Sequence, residues 1–434
     1  MRYSLLIFVA FTTIAADIHE AIVKKDITEL KRLLKDDPRD VNLPHKEHQK
    51  KTPLHYAVER NQLEAVKILL SYDAPIEDKD TLGETALMKA NFNGNLAIAK
   101  LLIAHKANIK IQNKVRQNVF LQSVFGHNPE LSKFYLQKGF KLNSKDSIGR
   151  NALMLTSMMG HLKQIEFLIE KGIDIDDYDA KSENAAFHAI RSYKVAAAKL
   201  LIEKGIDIKQ RNITKQSLLH IAVFKLDYPT TKLLIEKGVD INAQDEDGNT
   251  PLITAFFQIT NNNKKRMSKK RQIIKLLIDK KCDISHSNKR GLNALKLSLN
   301  SDILCKEIIK NIDLKKITDS PFHNCRRLEL VKILHAKGFK LKPKNKLGDS
   351  PLHFAASINN TLIIQYYIDN GLNVNHQNKA GFTPLMMAAR KFRVQALKSL
   401  LINKADKTLK NKQGDTAIDI ARKFRFKKIE LLLK

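Results

Sequence analysis

The chain has 434 residues, of which 43% are hydrophobic, and a formal net charge of +31. This apolar content supports a folded core and excludes a disordered chain. Three cysteines are too few to staple a protein of this length, and no apolar run reaches the roughly 18 residues of a membrane-spanning helix.

The positive charge is concentrated toward the C-terminus. Residues 1–250 hold 37 basic and 32 acidic side chains, a net charge of +5. Residues 251–434 hold 39 basic and 13 acidic side chains, a net charge of +26. A partner attracted by positive charge is therefore expected at the C-terminal two-fifths of the chain.

The first sixteen residues predict an export signal. Residues 1–16 read MRYSLLIFVAFTTIAA, in which Arg2 precedes an apolar stretch that ends in small residues. This layout is typical of a secretory signal peptide, with cleavage after Ala15 or Ala16. The alternative is a short apolar helix against the first structural unit of a cytoplasmic protein. The amphipathic pattern that begins at Asp17 needs nothing upstream, which favours export.

A 33-residue period dominates the rest of the sequence. The third residue of TPLHYA (52–57) has equivalents at six successive steps of 33, giving Leu54, Leu87, Phe120, Leu153, Ala186, Leu219 and Leu252. Further equivalents follow at steps of 43, 27, 30, 33 and 33, namely Leu295, Phe322, Leu352, Leu385 and Ile418. Six equal steps indicate a repeat protein.

Each repeat reads as a turn, a short helix, a polar break and a second helix. In one copy the turn at 80–83 precedes Leu87, the break is at 93–95, and an apolar second helix runs over 96–105. A single helix pair of this kind cannot bury both of its apolar faces, whereas stacking on the next copy can.

The motifs TPLHYA (52–57), SLLHIA (217–222) and SPLHFA (350–355) resemble the ankyrin-repeat family over about residues 17–434. The resemblance implies an all-α repeat solenoid of about 12–13 helix-turn-helix units with short β-turn fingers. It divides the chain into a capping repeat at 17–50, ankyrin repeats at 51–410 and a C-terminal capping repeat at 411–434. That last segment either caps the stack or ends it abruptly. A monomer is expected.

The 43-residue step contains a basic insertion at 261–271, between the two helices of one copy. We expect a solvated, mobile loop, which either contacts an acidic partner, a nucleic acid or an import receptor or is only a tolerated surface insertion. Its cations are Lys264, Lys265, Arg266, Lys269, Lys270 and Arg271. The repeats at 300–345 are irregular, and we expect the weakest interface, with a bend, near 300–328.

A group of cysteines and histidines within 44 residues is a candidate zinc site. Their spacing fits neither C-x₂-C nor H-x₃₋₅-H, so no metal and no cofactor are expected. The group consists of Cys282, His286, Cys305, His323 and Cys325. The resemblance assigns the recurrent motif histidines, such as His55 and His353, a structural role. Four copies of one histidine also argue against a catalytic site, and no enzyme is expected.

The predicted binding residues lie in the fingers and on the adjoining first helices, which line the concave binding face of ankyrin proteins. In ten of the twelve copies an Asp or Asn stands seven residues before the third motif residue, and a lysine follows it in the last four of these ten. We expect an acidic protein partner to contact Lys289, Arg290, Lys346, Lys379 and Lys412, together with Arg390, Lys391 and Arg393. The alternative is that lysine fills exposed positions of a Lys-, Asn- and Ile-rich chain.

The sequence thus predicts a non-enzymatic protein-binding scaffold. Proteins of this composition with a signal peptide resemble ankyrin proteins of host-associated bacteria, which suggests an exported effector. The second function considered is binding of nucleic acid or another polyanion through residues 251–434. No aromatic platform or known nucleic-acid fold supports that second function.

Overall fold

A computed structural model describes residues 18–44, 50–258, 263–299, 302–313, 320–341 and 345–434. The predicted signal peptide at 1–16 lies outside these residues. The chain divides into two compact units, Met1–Val239 and Asp240–Lys434. None of the helices in the described ranges is long and apolar enough to cross a membrane.

The first unit is built from successive helix pairs, each made of a short first helix and a longer second helix. A 3-10 helix at Pro38–Asn42 follows the opening pair. The pairs are 18–24 with Ile27–Asp36 (α1, α2), Pro53–Glu59 with Leu63–Ser71 (α3, α4), Ala86–Phe92 with Leu96–Ala104 (α5, α6), Val119–Ser123 with Pro129–Gln137 (α7, α8), Ala152–Met159 with Leu162–Glu170 (α9, α10), Ala185–Arg191 with Val195–Glu203 (α11, α12), and Leu218–Lys225 with Tyr228–Glu236 (α13, α14).

The second unit repeats this arrangement with one irregular pair, in which a 3-10 helix at Pro321–Asn324 replaces the first helix. The pairs are Pro251–Phe257 with Lys264–Asp279 (α15, α16), Ala294–Ser298 with Asp302–Asn311 (α17, α18), the 3-10 helix with Leu328–Ala336 (α19), Pro351–Ser357 with Thr361–Asp369 (α20, α21), Pro384–Arg390 with Val394–Ile402 (α22, α23), and Ala417–Lys423 with Lys427–Leu433 (α24, α25). Helix pairs at every predicted repeat confirm the repeat fold.

The first helices begin at the motif because its residues cap them. In α3, Pro53 takes the first helical position, where its missing N–H costs nothing. Thr52 and His55 then form a capping box, in which each side chain bonds the other's backbone N–H. The same box recurs at Ser217 and at Ser350. These caps explain why T/S-P/L-L-H stands at the start of first helices.

The core lies between successive pairs, as the stacking argument predicts. The motif positions Leu54, Leu87 and Phe120 are at most 1% exposed, and so is Leu102 on a second helix. The irregular pair keeps this core, because Phe322 in the 3-10 helix is fully buried and contacts the Tyr367 ring edge-on. Thus the truncated first helix still supplies its motif side chain.

The motif histidine bonds one repeat to the next. The Nδ1 of His55 accepts from the Thr52 backbone N–H at 3.3 Å, so its Nε2–H donates to the Glu84 carbonyl at 3.0 Å. Equivalent bonds join His323 to the Asp349 carbonyl and His353 to the Phe382 carbonyl. These bonds confirm the structural role implied by the resemblance.

These histidines predict a loss of stability in mild acid. Burial lowers the pKa of His55 and His353, although the carbonyls that they bond favour the charged form. Because the unfolded chain protonates them below about pH 6.5, stability should fall as the pH drops from there through the native pKa. The slope is expected to be at most about 1.4 kcal/mol per pH unit for each histidine.

Urea unfolding between pH 8 and pH 5 measures this loss. The double variant H55Q/H353Q should be less stable than the parent chain at pH 7.5, with a shallower decline below pH 6.5. The exposed His105 supplies the matched control H105Q, which should decline like the parent. Parallel slopes in parent and double variant would contradict the prediction.

Candidate protein-binding surface

Each regular finger is held by one Asp or Asn side chain at its base. Asp80 Oδ1 accepts from the backbone N–H groups of Leu82 and Glu84, at 2.8 and 3.0 Å. The same two bonds recur at Asn345 and Asn378 of the second unit. Asp80 is only 5% exposed, so this position lies at the base of the finger and the residue after it faces solvent.

Three of the predicted lysines occupy consecutive fingers. The backbone N–H of Lys379 donates to the Leu347 carbonyl at 3.0 Å, and that of Lys412 donates to the Ala380 carbonyl at 3.1 Å. These bonds join the finger of Lys346 to that of Lys379, and that of Lys379 to that of Lys412. All three lysine side chains are exposed. We call Lys346, Lys379 and Lys412 the finger lysines.

The side-chain stem of Lys379 also packs against the preceding finger. A Cβ placed on Gly348 would lie 3.1 Å from Lys379 Cγ, so the lysine stem covers the glycine of the preceding finger. Gly348 has a φ of +80°, a conformation that glycine adopts without strain. The methylene stem is therefore partly structural, whereas the ammonium group remains available to a partner.

Lys289 and Arg290 belong to a separate finger. The backbone N–H of Lys289 donates to the Asp247 carbonyl at 3.0 Å, so this finger joins the one before it in sequence. The irregular pair around Phe322 lies between it and the finger of Lys346 in the repeat order. Both side chains are exposed. The predicted row of lysines is therefore a run of three with one outlying member.

The predicted cations of the first helices have different environments. Arg390 stands 5.6 Å from the centre of the Phe382 ring, and its side chain is directed toward the finger base. Lys391 is exposed beside it. Arg393 Nε donates to the Ser357 carbonyl at 2.8 Å, at the end of α20. Arg393 therefore joins two repeats at the end of the helices away from the fingers.

The prediction that residues 261–271 form a mobile loop is wrong for 264–271, which are helical, and residues 261–262 lie outside the described part of the chain. Lys264–Asp279 is one helix of sixteen residues, capped by the Asn263 side chain. Lys270 is 6% exposed, and its Nζ donates to the carbonyls of Phe256 and Gln258 at 3.0 and 3.1 Å. Burial lowers the pKa of Lys270. This ammonium caps the end of α15, so Lys270 is a structural residue rather than a contact for a partner.

Side-chain amides bond neighbouring fingers together. Asn378 Nδ2 donates to Asp349 Oδ1 at 2.7 Å, and Asn113 Nδ2 donates to Glu84 Oε1 at 3.3 Å. Asn411 has no such acceptor, because Phe382 stands where Asp349 stands one repeat earlier. Among the described residues, the buried Asn411 Nδ2 has no partner. A finger Asn therefore stabilises the contact between neighbouring fingers best when an acidic residue lies 29 positions before it.

The first unit also carries an exposed apolar strip that its charge pattern does not predict. Phe92, at the end of α5, is 48% exposed and stacks on Phe125 at 5.3 Å between ring centres. In the fingers, Leu82, Val115 and Ile148 are 51%, 44% and 48% exposed. Both rows repeat every 33 residues, so apolar residues at finger positions were the available signal.

The candidate metal ligands have other bonds. The three cysteines are buried, and burial raises the pKa of the Cys282 thiol to about 12. The Nε2 of His286 bonds the Gly248 carbonyl, and that of His323 bonds the Asp349 carbonyl. These two histidines therefore hold backbone carbonyl groups of neighbouring fingers.

One buried cluster has the composition of a metal site. Asp179, Glu183 and His188 offer ligand atoms within 4.8 Å of one another. Burial opposes ionisation of Asp179, but hydrogen bonds from His188 and from the Glu183 backbone outweigh it and lower the pKa. Arg191 donates to both oxygens of Glu183. Because the Arg191 guanidinium already binds Glu183 in this cluster, we interpret the cluster as an internal network of ion pairs.

Stacked helix pairs, capped by a T/S-x-L-H motif and joined through short fingers, define a helical repeat protein. Models of ankyrin repeats match residues 18–113, 120–212, 227–258, 320–411 and 352–434. The chain belongs to the ankyrin-repeat family, whose repeats are protein–protein interaction scaffolds.

Parts of the chain are similar in sequence to other ankyrin repeat proteins. An ankyrin repeat protein of Rickettsia bellii is 31% identical over 138 residues, which are 31% of this chain and 75% of the relative. Ankyrin repeat domain-containing protein 13C-B of Xenopus laevis is 33% identical over 79 residues, which are 18% of this chain and 15% of the relative. Ankyrin repeat domain-containing protein 37 of Xenopus tropicalis is 32% identical over 92 residues, which are 21% of this chain and 56% of the relative.

The bonds between fingers predict an asymmetry between two similar substitutions. N378D would bring a second carboxylate to the atom that now accepts at 2.7 Å, so it should cost about 1–3 kcal/mol at pH 7.5. Below about pH 5 the loss should shrink, because a proton shared by the two acids restores a donor. N411D has no acidic residue at the matching position and should therefore cost less than N378D at pH 7.5.

Urea unfolding midpoints of both variants at pH 7.5 and pH 4.5 measure the difference. Equal losses at pH 7.5, or a loss for N378D that persists in acid, would show that the carboxylate of Asp349 does not control this contact.

Proposed function

We propose that the protein is a non-enzymatic binding module that recruits an acidic protein partner through the finger lysines of its second unit. The observation that carries the proposal is the row of three exposed ammonium groups on consecutive hydrogen-bonded fingers. Their backbones are fixed before binding, so ordering them costs little. Arg390 and Lys391 extend the cationic surface along α22 toward a partner that lies across the fingers.

Charge balance supports an acidic partner for the second unit. Residues 240–434 hold 39 basic and 17 acidic side chains, a net charge of +22. In the first unit, by contrast, Lys89 sits within 3.6 Å of carboxylate oxygens of Asp80, Glu84 and Glu59. The equivalent first-helix positions of the last three repeats, which carry the finger lysines, hold Phe354, Met387 and Ile420. Its surface cations are thus less compensated, and their field steers acidic partners.

We further propose that the chain is exported through residues 1–16 and acts as an effector on a host protein. The n-region, apolar stretch and small residues before Asp17 support export. The similarity to an ankyrin repeat protein of the bacterium Rickettsia bellii supports a bacterial origin for such an effector.

Charge reversal tests the partner surface. The triple variant K346E/K379E/K412E should bind its partner at least about tenfold more weakly at low salt, a loss of about 1.4 kcal/mol or more. The matched control K398E/K427E/K428E changes the net charge equally, on exposed positions of the second helices. Quantitative affinity capture with both full-length variants at low and moderate salt measures which proteins are lost.

The outcomes distinguish the function from a general charge effect. Proteins lost only with the finger variant, and rich in acidic residues, would support the proposal. Equal loss with both variants, matched by equal loss of retention on heparin, would favour polyanion or nucleic-acid binding instead, because phosphate contacts depend on charge and salt.

A reporter fusion tests export. Residues 1–20 placed before an alkaline phosphatase that lacks its own leader should give an active, processed enzyme whose mature part begins at Ala16 or Asp17. Placing an aspartate at Ile7 and another at Phe8 should abolish activity by interrupting the apolar stretch. An active fusion that keeps residues 1–16 would contradict cleavage.

A further inference from the structure

The basic extension of α16 forms a surface of its own. The helix has sixteen residues, whereas the second helices α21 and α23 have nine each. The seven additional residues, 264–270, add about two turns or roughly 10 Å at its N-terminal end. Lys270 bonds carbonyls at the end of α15, so the extension lies at the end of the helix pair away from the fingers.

The extension is anchored by polar contacts. Asn263 caps its first turn, and Arg266 Nη2 donates to Gln258 Oε1 at 3.0 Å. Lys270 caps the C-terminal end of α15 through its bonds to the carbonyls of Phe256 and Gln258. These contacts hold a helix whose first turns carry several cations, which would otherwise be disfavoured at the positive end of the helix dipole.

The cations of the extension lack carboxylate partners. Lys264, Lys265 and Lys269 are exposed, and within the described parts of the chain no carboxylate forms an ion pair with them. Lys265 and Lys269 are also separated by four positions, a spacing at which like charges repel on a helix. An anionic group beside residues 264–270 would offset both the unfavourable interaction of these cations with the helix dipole and the repulsion between Lys265 and Lys269.

An apolar groove adjoins these cations. A cavity of about 350 Å³ lies between α16 and α18. Its apolar lining is Ile274, Ile303 and Leu304, and Ile303 is 59% exposed. The polar lining residues are Ser268, Arg271, Gln272, Lys275 and Glu307.

The polar lining continues the cationic face of the extension. Ser268, Arg271, Gln272 and Lys275 have the spacing i, i+3, i+4, i+7, which places them on one side of α16. Lys264 and Lys265 precede Ser268 by four and three positions and so lie on the same side. Arg271 Nε is buried with no hydrogen-bond partner among the described residues, which leaves a donor without its acceptor.

We propose that this groove binds an acidic amphipathic helix of about three turns from a partner protein. Its apolar side chains would cover Ile303 and fill the cavity, and its carboxylates would face Lys264, Lys265 and Arg271. The cationic positions span 264–275, about 16 Å of helix, which a helix of that length matches. A nucleic acid would satisfy the charges but would leave Ile303 in water, and none of the described residues that line the groove is aromatic and could stack on a base.

A designed peptide tests the groove with the full chain. The probe is a fluorescein-labelled peptide of about 14 residues, with leucine at i, i+3, i+4 and i+7 and glutamate elsewhere. Fluorescence anisotropy should show saturable binding, and a scrambled peptide of the same composition should bind at least about tenfold more weakly. A DNA duplex labelled in the same way is the competing probe.

Matched substitutions separate the groove from general charge. I303S and K264E/K265E should each weaken peptide binding at least about tenfold. L362S removes a comparably exposed aliphatic side chain from α21, and K427E/K428E removes two exposed cations from α25, and both should bind like the parent. The finger variant K346E/K379E/K412E should also retain peptide binding, so this site and the finger surface can fail independently.

Three results would overturn the proposal. The first is equal affinity for the scrambled peptide, and the second is no saturable binding below about 100 µM. The third is tighter binding of the DNA duplex that is insensitive to I303S, which would assign the extension to nucleic acid.

Discussion

The fold depends on one hydrogen-bonded turn at the base of each finger. A single side-chain oxygen of Asp80, or of its equivalents, accepts from two backbone N–H groups and so fixes the finger. The finger backbone then bonds the preceding finger, and its last carbonyl accepts from the motif histidine of the preceding repeat. Because these bonds connect residues near 33 positions apart, an inserted or deleted residue inside a finger breaks several of them at once. The strict period is the consequence of this geometry.

This constraint explains what the sequence could reveal. The period and the motif placed the helix pairs, because caps and buried leucines act within one repeat or between neighbours. The helical extension at 264–270 could not be inferred in this way. Local propensity disfavours a helix that begins with Lys264, Lys265 and Arg266, and the compensating bonds of Lys270 come from the end of α15, a tertiary contact that composition does not encode. The bond of Arg393 to Ser357, 36 residues away, was hidden for the same reason.

The two units balance charge differently. In the first unit the finger acids pair with internal cations, as Asp80 pairs with Lys89 at 2.9 Å. Burial disfavours both ions, but hydrogen bonds from Lys89 and from the Glu84 and Leu82 backbones outweigh it and lower the pKa of Asp80. In the second unit four of the five regular finger bases are Asn, the exception being Asp245, and apolar side chains replace the internal cation in the last three repeats. The neutral base holds the same turn and adds no negative charge of its own beneath the finger lysines. Asn in place of Asp at a finger base therefore preserves the fold but makes the surface potential more positive.

Charge of this kind guides encounter more than it determines affinity, because exposed ammonium groups lose much of their attraction to water and salt. Affinity at protein interfaces comes mainly from a few buried apolar or aromatic anchors. Phe92, which stacks on the half-buried Phe125, provides an exposed anchor on the first unit, and Ile303 provides one beside the cations of α16. The finger lysines have the exposed Leu347 within their own row, 66% accessible and one residue after Lys346. Cations that stand beside an apolar anchor can hold a partner, whereas isolated lysines only attract it. On this criterion, the finger of Lys346 and the groove beside α16 are the places where specificity is expected to arise.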